Sequence, residues 1–144
     1  MHAEPSPKHL QISLFLIRAS VVLMLAPWVA DKFINPSHLV GIADSFYGIG
    51  GFESNLVLMI GVAQVVLLAC FTLGIARTWS YGLTLLMHAL STFSSWKQYL
   101  DPYAGANLLF FAAWPMLAAL VALFLLREHD TLLSVPRRTH RSAS

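Results

Sequence analysis

The chain has 144 residues, of which 57% are hydrophobic and only 11% are charged. Soluble domains are about 45–50% apolar and about 25% charged, and a chain this short cannot bury so much apolar surface in its own interior. The composition therefore excludes an ordinary soluble domain and favours a membrane protein, while the net charge of +2 is too small to indicate nucleic-acid binding.

Four apolar stretches, at about residues 12–33, 55–76, 79–96 and 106–126, predict four transmembrane helices in a single membrane domain. Each is near the roughly 20 residues that a helix needs to cross the hydrocarbon layer, and none alternates like a barrel strand. The predicted fold class is therefore all-α, a four-helix transmembrane bundle. Pro27 and Pro115 are expected to bend the first and fourth helices, because proline removes a backbone donor.

The placement of Lys and Arg predicts the orientation of these helices. Seven of the nine basic residues fall on one side of the predicted membrane, and only Lys32 and Lys97 fall on the other. Because positively charged loops stay in the cytoplasm, both termini are predicted to be cytoplasmic. On that side we expect a basic tail at 127–144, disordered from residue 136 onwards. On the other side an outer loop, residues 34–54, is expected to contain a short helix near residues 37–46.

The third stretch is the most polar of the four and therefore the weakest span. Its hydroxyl and imidazole side chains recur at intervals of three and four, which places them on one face of a helix. They are Thr84, His88, Ser91, Thr92 and Ser95. A polar face is unfavourable in lipid, so it is expected to point into the bundle. Either these residues cement helix packing, or they line a ligand site or a solute path.

His88 is the imidazole near the middle of a span, where it needs a partner. Gln64 is the amide in the interior of the second span and lies at about the same depth. Since consecutive helices joined by a short turn usually pack together, we predict a hydrogen bond between Gln64 and His88.

A second polar layer is predicted at the outer interface, at the ends of the spans. Its members are Asp31, Lys32, Glu53, Trp96, Lys97, Gln98, Asp101 and Asn107. They are either interface anchors and helix caps, or the rim of a pocket that binds a quinone head or a small ligand.

The composition also excludes several redox chemistries. The single cysteine, Cys70, excludes an internal disulfide and a Cys-x-x-Cys pair, and the usual Cys/His spacing of a zinc site is absent. A bis-histidine haem needs two imidazoles at one depth, and only His88 lies inside a span. No metal is expected, and no catalytic residue can be assigned.

Parts of residues 14–126 resemble the DoxX-like family of four-helix membrane proteins. Arg18 and Lys32 are similar to the family's R…GxxK-like pattern. Residues 61–77 resemble its E…G-L…L-G…T-R segment, with Gln64 in place of the usual glutamate, and Asn107 opens the fourth span as expected.

The resemblance implies a link to respiratory-chain and sulfur or redox-stress chemistry. The leading hypothesis is a membrane subunit or anchor for a quinone-linked redox system, with an oxidoreductase or another membrane protein as partner. No cofactor is evident, although a quinone is compatible with the pattern. The alternatives are an oligomeric transporter or channel component for a small solute, and a non-catalytic assembly protein. The expected location is the bacterial cytoplasmic (inner) membrane.

Overall fold

The computed structural model describes residues 7–48, 50–51 and 53–135, and every regular element in these residues is helical. The all-α class is thus confirmed. In chain order the elements are α1 (Pro7–Ile34), α2 (Pro36–Tyr47), α3 (Ser54–Leu73), α4 (Arg77–Ser94), α5 (Trp96–Leu100), a 3-10 helix (Asn107–Ala112) and α6 (Ala113–Leu125).

Three helical segments are long and apolar enough to cross a membrane: Pro7–Ile34, Asn55–Leu73 and Asn107–Leu125. Their apolar side chains are largely on the surface, since Leu23 and Leu109 are 77% and 75% exposed. Such a surface is unfavourable in water and favourable in hydrocarbon, which indicates a multi-pass membrane protein. The predicted third span forms a helix, α4, but its polar side chains leave it outside this set.

The four long helices form one bundle, in which α1 and α4 each pack against both α3 and α6. We call the end where α1 begins and α6 finishes the inner end, and the opposite end the outer end. The predicted loop helix is confirmed as α2, which packs against α1 and α3. The expected disorder of residues 136–144 lies outside the described residues.

Pro27 and Pro115 have different effects on their helices. α1 continues through Pro27 without a break. The fourth span begins as a 3-10 helix and becomes α-helical at Ala113, two residues before Pro115. Pro115 lies in the first turn of α6, where a backbone N–H has no acceptor within the helix. The N–H that proline lacks therefore costs α6 no hydrogen bond. Pro115 therefore accompanies a change of helix type.

The turn between α3 and α4 fixes the inner end of the bundle. Gly74 ends α3 with φ at 64°, and the amide of Ile75 donates to the carbonyl oxygen of Cys70 at 2.8 Å. A Cβ atom on Gly74 would lie 2.8 Å from Cβ of Ser134. Glycine is thus required here both by the left-handed backbone and by the close approach of the C-terminal segment.

The hydrophobic core lies in the inner part of the bundle. Its buried members come from α1, α3, α4 and α6, and they are Leu14, Val21, Phe71, Tyr81, Leu120 and Leu123. The rings of Phe71 and Tyr81 pack with their centroids 4.8 Å apart. This core surrounds the polar cluster described below.

Candidate functional site

The predicted hydrogen bond between Gln64 and His88 is wrong. His88 is 7% exposed, and its Nε2 lies 3.0 Å from the carbonyl oxygen of Ala113 at the start of α6. The buried Oε1 of Gln64 has no hydrogen-bond partner among the described residues. The two residues share a depth, but the imidazole bonds to α6 instead of turning to α3. Depth alone did not determine which neighbour His88 would contact.

The polar face of α4 points into the bundle, as its spacing predicts. Thr84 and Thr92 are 3% and 1% exposed. Their hydroxyls donate to carbonyl oxygens four residues earlier in α4, those of Ser80 and His88, both at 2.8 Å. These groups are satisfied within their own helix, which is typical of packing residues. Ser91 is the exception, because it is exposed.

The predicted outer layer is divided into separate contacts. Asp31 pairs with His38 of α2 at 2.7 Å between Oδ2 and Nδ1, and the ring of His38 stacks on Trp28. Asn107 instead donates through Nδ2 to the carbonyl oxygen of Asp101 at 2.9 Å. These contacts stabilise two different connections, the α1–α2 corner and the segment between α5 and the 3-10 helix.

The other predicted outer residues also lie apart. Lys32 is only 7% exposed, and its Nζ donates to the carbonyl oxygen of Trp28 one turn earlier at 2.9 Å. Glu53 is exposed at the N-terminal end of α3 and makes no side-chain cap. Trp96 is 56% exposed and lies beneath the ammonium group of Lys97. No hydrogen bond within the described residues joins Lys32, Glu53 and Asn107, so the contacts match interface anchors better than one polar pocket.

The most strongly buried polar cluster lies at the inner end, and its centre is an ion pair. Arg18 of α1 and Asp130, five residues after α6, are 2% and 0% exposed, with Nη1 and Oδ2 3.5 Å apart. Tyr81 of α4 donates its hydroxyl to the same Oδ2 at 2.7 Å and accepts from Arg18 at 3.4 Å. Three chain segments that are distant in sequence thus share one carboxylate oxygen.

Arg18 also holds the backbone that follows Asp130. Its Nη2 donates to the carbonyl oxygens of Leu132 and Leu133, the latter at 3.2 Å. A buried guanidinium is costly unless its donors are occupied, and here the ion pair, the Tyr81 hydroxyl and two carbonyls engage Nη1 and Nη2.

A second arginine completes the inner cluster. Arg77, the first residue of α4, is 7% exposed and donates to Ser134 Oγ at 2.8 Å and to the carbonyl oxygen of Gly74 at 3.2 Å. The amide of Val135 donates to the carbonyl oxygen of Leu73 at 2.8 Å. Residues 127–135, which we call the strap, are therefore part of the fold, although the sequence interpretation placed them in the tail.

In the sequence, Arg18 and Arg77 served as orientation signals and as part of the family resemblance, and Asp130 was not singled out. A signal was nevertheless present, because an arginine inside an apolar run needs a partner. With both termini on one side, the acids available at that side are Glu4, Glu128 and Asp130.

An apolar groove runs between α1 and α3 on the outside of the bundle. Its volume is about 360 Å³, and its lining is almost entirely aliphatic or aromatic: Val22, Ala26, Val29, Ala30, Phe33, Val65, Leu68, Ala69 and Thr72. The hydroxyl of Thr72 donates to the carbonyl oxygen of Leu68 at 2.7 Å, so even this polar group is satisfied within its helix. The groove is thus an apolar cleft formed by two candidate membrane spans, α1 and α3.

Within the described residues, no group of three or more His, Cys, Asp or Glu side chains is placed to hold a metal ion. No family model matches the sequence, and no significant similarity to a curated protein or a solved structure is found.

Proposed function

We propose that this chain is a membrane subunit that anchors a redox partner and holds an isoprenoid quinone in the α1–α3 groove. The groove is the observation that carries the proposal. A site for a chain-bearing molecule in a membrane needs a long apolar cleft that opens to the hydrocarbon. The lining along α1 runs from Val22 to Phe33, a length of about 16 Å at the rise of an α-helix.

Small residues create this groove. Ala26, Ala30 and Ala69 contribute little side-chain volume where α1 and α3 pass each other. Larger side chains there would fill the space, as they do in a packed interior. The resemblance to the DoxX-like family supports a quinone as the occupant over another apolar chain, because it points to respiratory-chain chemistry. In this proposal catalysis belongs to the partner.

The proposal includes a particular arrangement in the membrane. α4 crosses as a fourth span, its polar face covered by α3 and α6, and both termini lie in the cytoplasm of a bacterial cell. The burial of Thr84, His88 and Thr92 supports this arrangement, because it leaves mainly apolar side chains of α4, such as Leu86 and Leu90, on the outside.

The test is to purify the chain with its native lipids and to measure bound quinone and co-purifying proteins by mass spectrometry. Ala69→Leu fills the groove from α3 and is expected to remove bound quinone. Ala63→Leu is the matched control, because Ala63 is an exposed alanine of the same helix outside the groove. Equal quinone content in both variants, or none in the unmodified protein, would reject the groove as a quinone site.

A second candidate, an assembly protein without a ligand, is favoured by a different observation. The buried polar groups Thr84, His88 and Thr92 all have partners within the bundle. In that case changes at Gln64 and His88 alter only the amount of folded protein. The same pairing disfavours a solute path along α4, and liposome flux that is lost in His88→Ala would reverse that conclusion.

A further inference from the structure

We infer that the strap, residues 127–135, closes the inner end of the α1–α3 groove, and that releasing the strap widens the groove. The inference rests on the proposed function only for the identity of the occupant. The movement itself follows from how the strap is attached to the two helices that form the groove.

The strap binds both walls of the groove. On the side of α1, Asp130 pairs with Arg18 at 3.5 Å, and Arg18 also donates to the carbonyl oxygen of Leu133 at 3.2 Å. On the side of α3, the amide of Val135 donates to the carbonyl oxygen of Leu73 at 2.8 Å. A nine-residue segment thus ties α1 to the end of α3, through a buried ion pair on one side and a backbone hydrogen bond on the other.

These attachment points adjoin the inner end of the groove. Arg18 lies one helical turn before Val22, and Leu73 directly follows Thr72, and both Val22 and Thr72 line the groove. Arg18 on α1 and the carbonyl oxygen of Leu73 on α3 both bond to the strap. The strap therefore supplies a polar connection between the two walls at this end.

The outer end of the groove is held in a different way. Gly61 of α3 approaches α1 so closely that a Cβ atom there would lie 2.9 Å from Cζ of Phe33 and 3.3 Å from Cβ of Lys32. This contact depends on direct packing of the two helices and not on the strap. It provides a fixed point about which the inner ends can separate.

The closed strap also carries local costs that favour its release. Oδ1 of Asp130 is buried and has no hydrogen-bond partner among the described residues, although Oδ2 has two. Leu133 adopts a φ of 48°, a left-handed conformation that disfavours a branched side chain, and its side chain is 73% exposed. The strap is thus held by a few strong contacts against strain, which is the pattern of an element that can open as a unit.

The experiment measures the separation of the two walls in the full chain. Spin labels are placed on α1 and α3 at the inner end through Ala19→Cys and Leu73→Cys, and at the outer end through Ile34→Cys and Met59→Cys, both in a Cys70→Ser background. Distances are recorded in phosphatidylcholine vesicles with and without ubiquinone-10.

Asp130→Asn removes the charge of the ion pair while keeping the shape of the side chain. We expect the inner distance to become longer and broader, the outer distance to stay unchanged, and more ubiquinone-10 to be retained after washing. Asp101→Asn is the control, since it neutralises an exposed carboxylate that lies at the outer end, away from the strap. It is expected to leave both distances unchanged.

An unchanged inner distance in a folded Asp130→Asn variant would overturn the inference. If that variant does not fold, the inner distance is measured in Tyr81→Phe instead, because this change removes one hydrogen bond to Asp130 and leaves the charges in place. An unchanged inner distance in Tyr81→Phe would then overturn the inference. A wider inner distance without retention of ubiquinone-10 supports the strap as a closing element and rejects the quinone as occupant, so the two proposals can fail separately.

Discussion

Each end of the bundle contains a carboxylate paired with a basic side chain of another segment, but the two pairs differ in burial. At the outer end Asp31 and His38 are 2.7 Å apart and are 30% and 47% exposed. At the inner end Arg18 and Asp130 are farther apart, at 3.5 Å, yet only 2% and 0% exposed. Solvent screens the shorter contact, so burial and not distance decides which pair the fold depends on.

The remaining polar contacts follow the same division. Apart from the buried Lys32, the outer residues described above make contacts at the surface, such as the single hydrogen bond of Asn107 to the carbonyl oxygen of Asp101. Inner contacts converge, since Tyr81 and Arg18 meet on one oxygen of Asp130. Removing one outer group leaves its partner in water, whereas removing one inner group leaves a buried partner unsatisfied. Four substitutions test this difference, in order of expected effect.

Arg18→Met is expected to have the largest effect. It leaves the carboxylate of Asp130 buried without a counter-charge, and one-sided removal of a buried pair costs about 3–5 kcal/mol. The free energy of unfolding in mixed detergent and SDS should fall by that amount. Asp31→Asn is the outer counterpart and should cost less than about 1 kcal/mol. Similar losses for both would break the comparison between the two ends.

Tyr81→Phe is expected to come next. The variant keeps the aromatic packing on Phe71 but removes the hydroxyl that donates to Asp130 at 2.7 Å. A hydrogen bond to a charged group contributes about 1.5–3 kcal/mol, and the same unfolding assay should show a loss in this range. An unchanged free energy of unfolding would mean that the ion pair is stable without the hydroxyl of Tyr81.

Gly74→Ala tests the close approach of the strap to the turn between α3 and α4. A left-handed conformation costs about 1–2 kcal/mol for an alanine, and here its Cβ would also meet Ser134 at 2.8 Å. Gly48→Ala is the control at the outer end, because Gly48 has the same φ, 65°, with open space around it. Gly74→Ala should be the more destabilising of the two in thermal unfolding, and equal losses would show that the strap does not press on the turn.

His88→Leu is expected to have the smallest effect. It removes the contact between Nε2 and the carbonyl oxygen of Ala113, and hydrogen bonds between membrane helices contribute about 0.6 kcal/mol on average. Abundance of the folded protein should change little. A loss as large as that of Arg18→Met would mean that the middle layer, and not the inner end, holds the bundle together.

The sequence predicted most of the helical architecture and part of the candidate site. Hydropathy located the long helices to within a few residues, and the short helix expected near residues 37–46 of the outer loop is α2. The spacing of Thr84, His88 and Thr92 predicted their burial, because residues at these intervals lie on one face of a helix and a polar face is unfavourable in lipid. These features depend on local pattern, which the sequence carries directly.

What the sequence did not reveal depends on contacts between distant segments. Asp130 follows the last span in a basic segment whose arginines are orientation signals, and nothing nearby indicates that the chain folds back. The groove arises from the crossing of α1 and α3 at their alanines, which no single helix encodes. The partner of His88 was missed because depth does not fix the direction of a side chain.

The most direct test of the account is amide hydrogen exchange of the strap in lipid nanodiscs. The amide of Val135 donates to Leu73 and lies beside the buried cluster. We expect slow exchange of the Val135 amide in the unmodified protein and fast exchange in Asp130→Asn, with α2 unaffected. Fast exchange of the Val135 amide in the unmodified protein would show that the strap is not part of the fold, and the ion pair of Arg18 with Asp130 would then have to be abandoned as the contact on which the inner end depends.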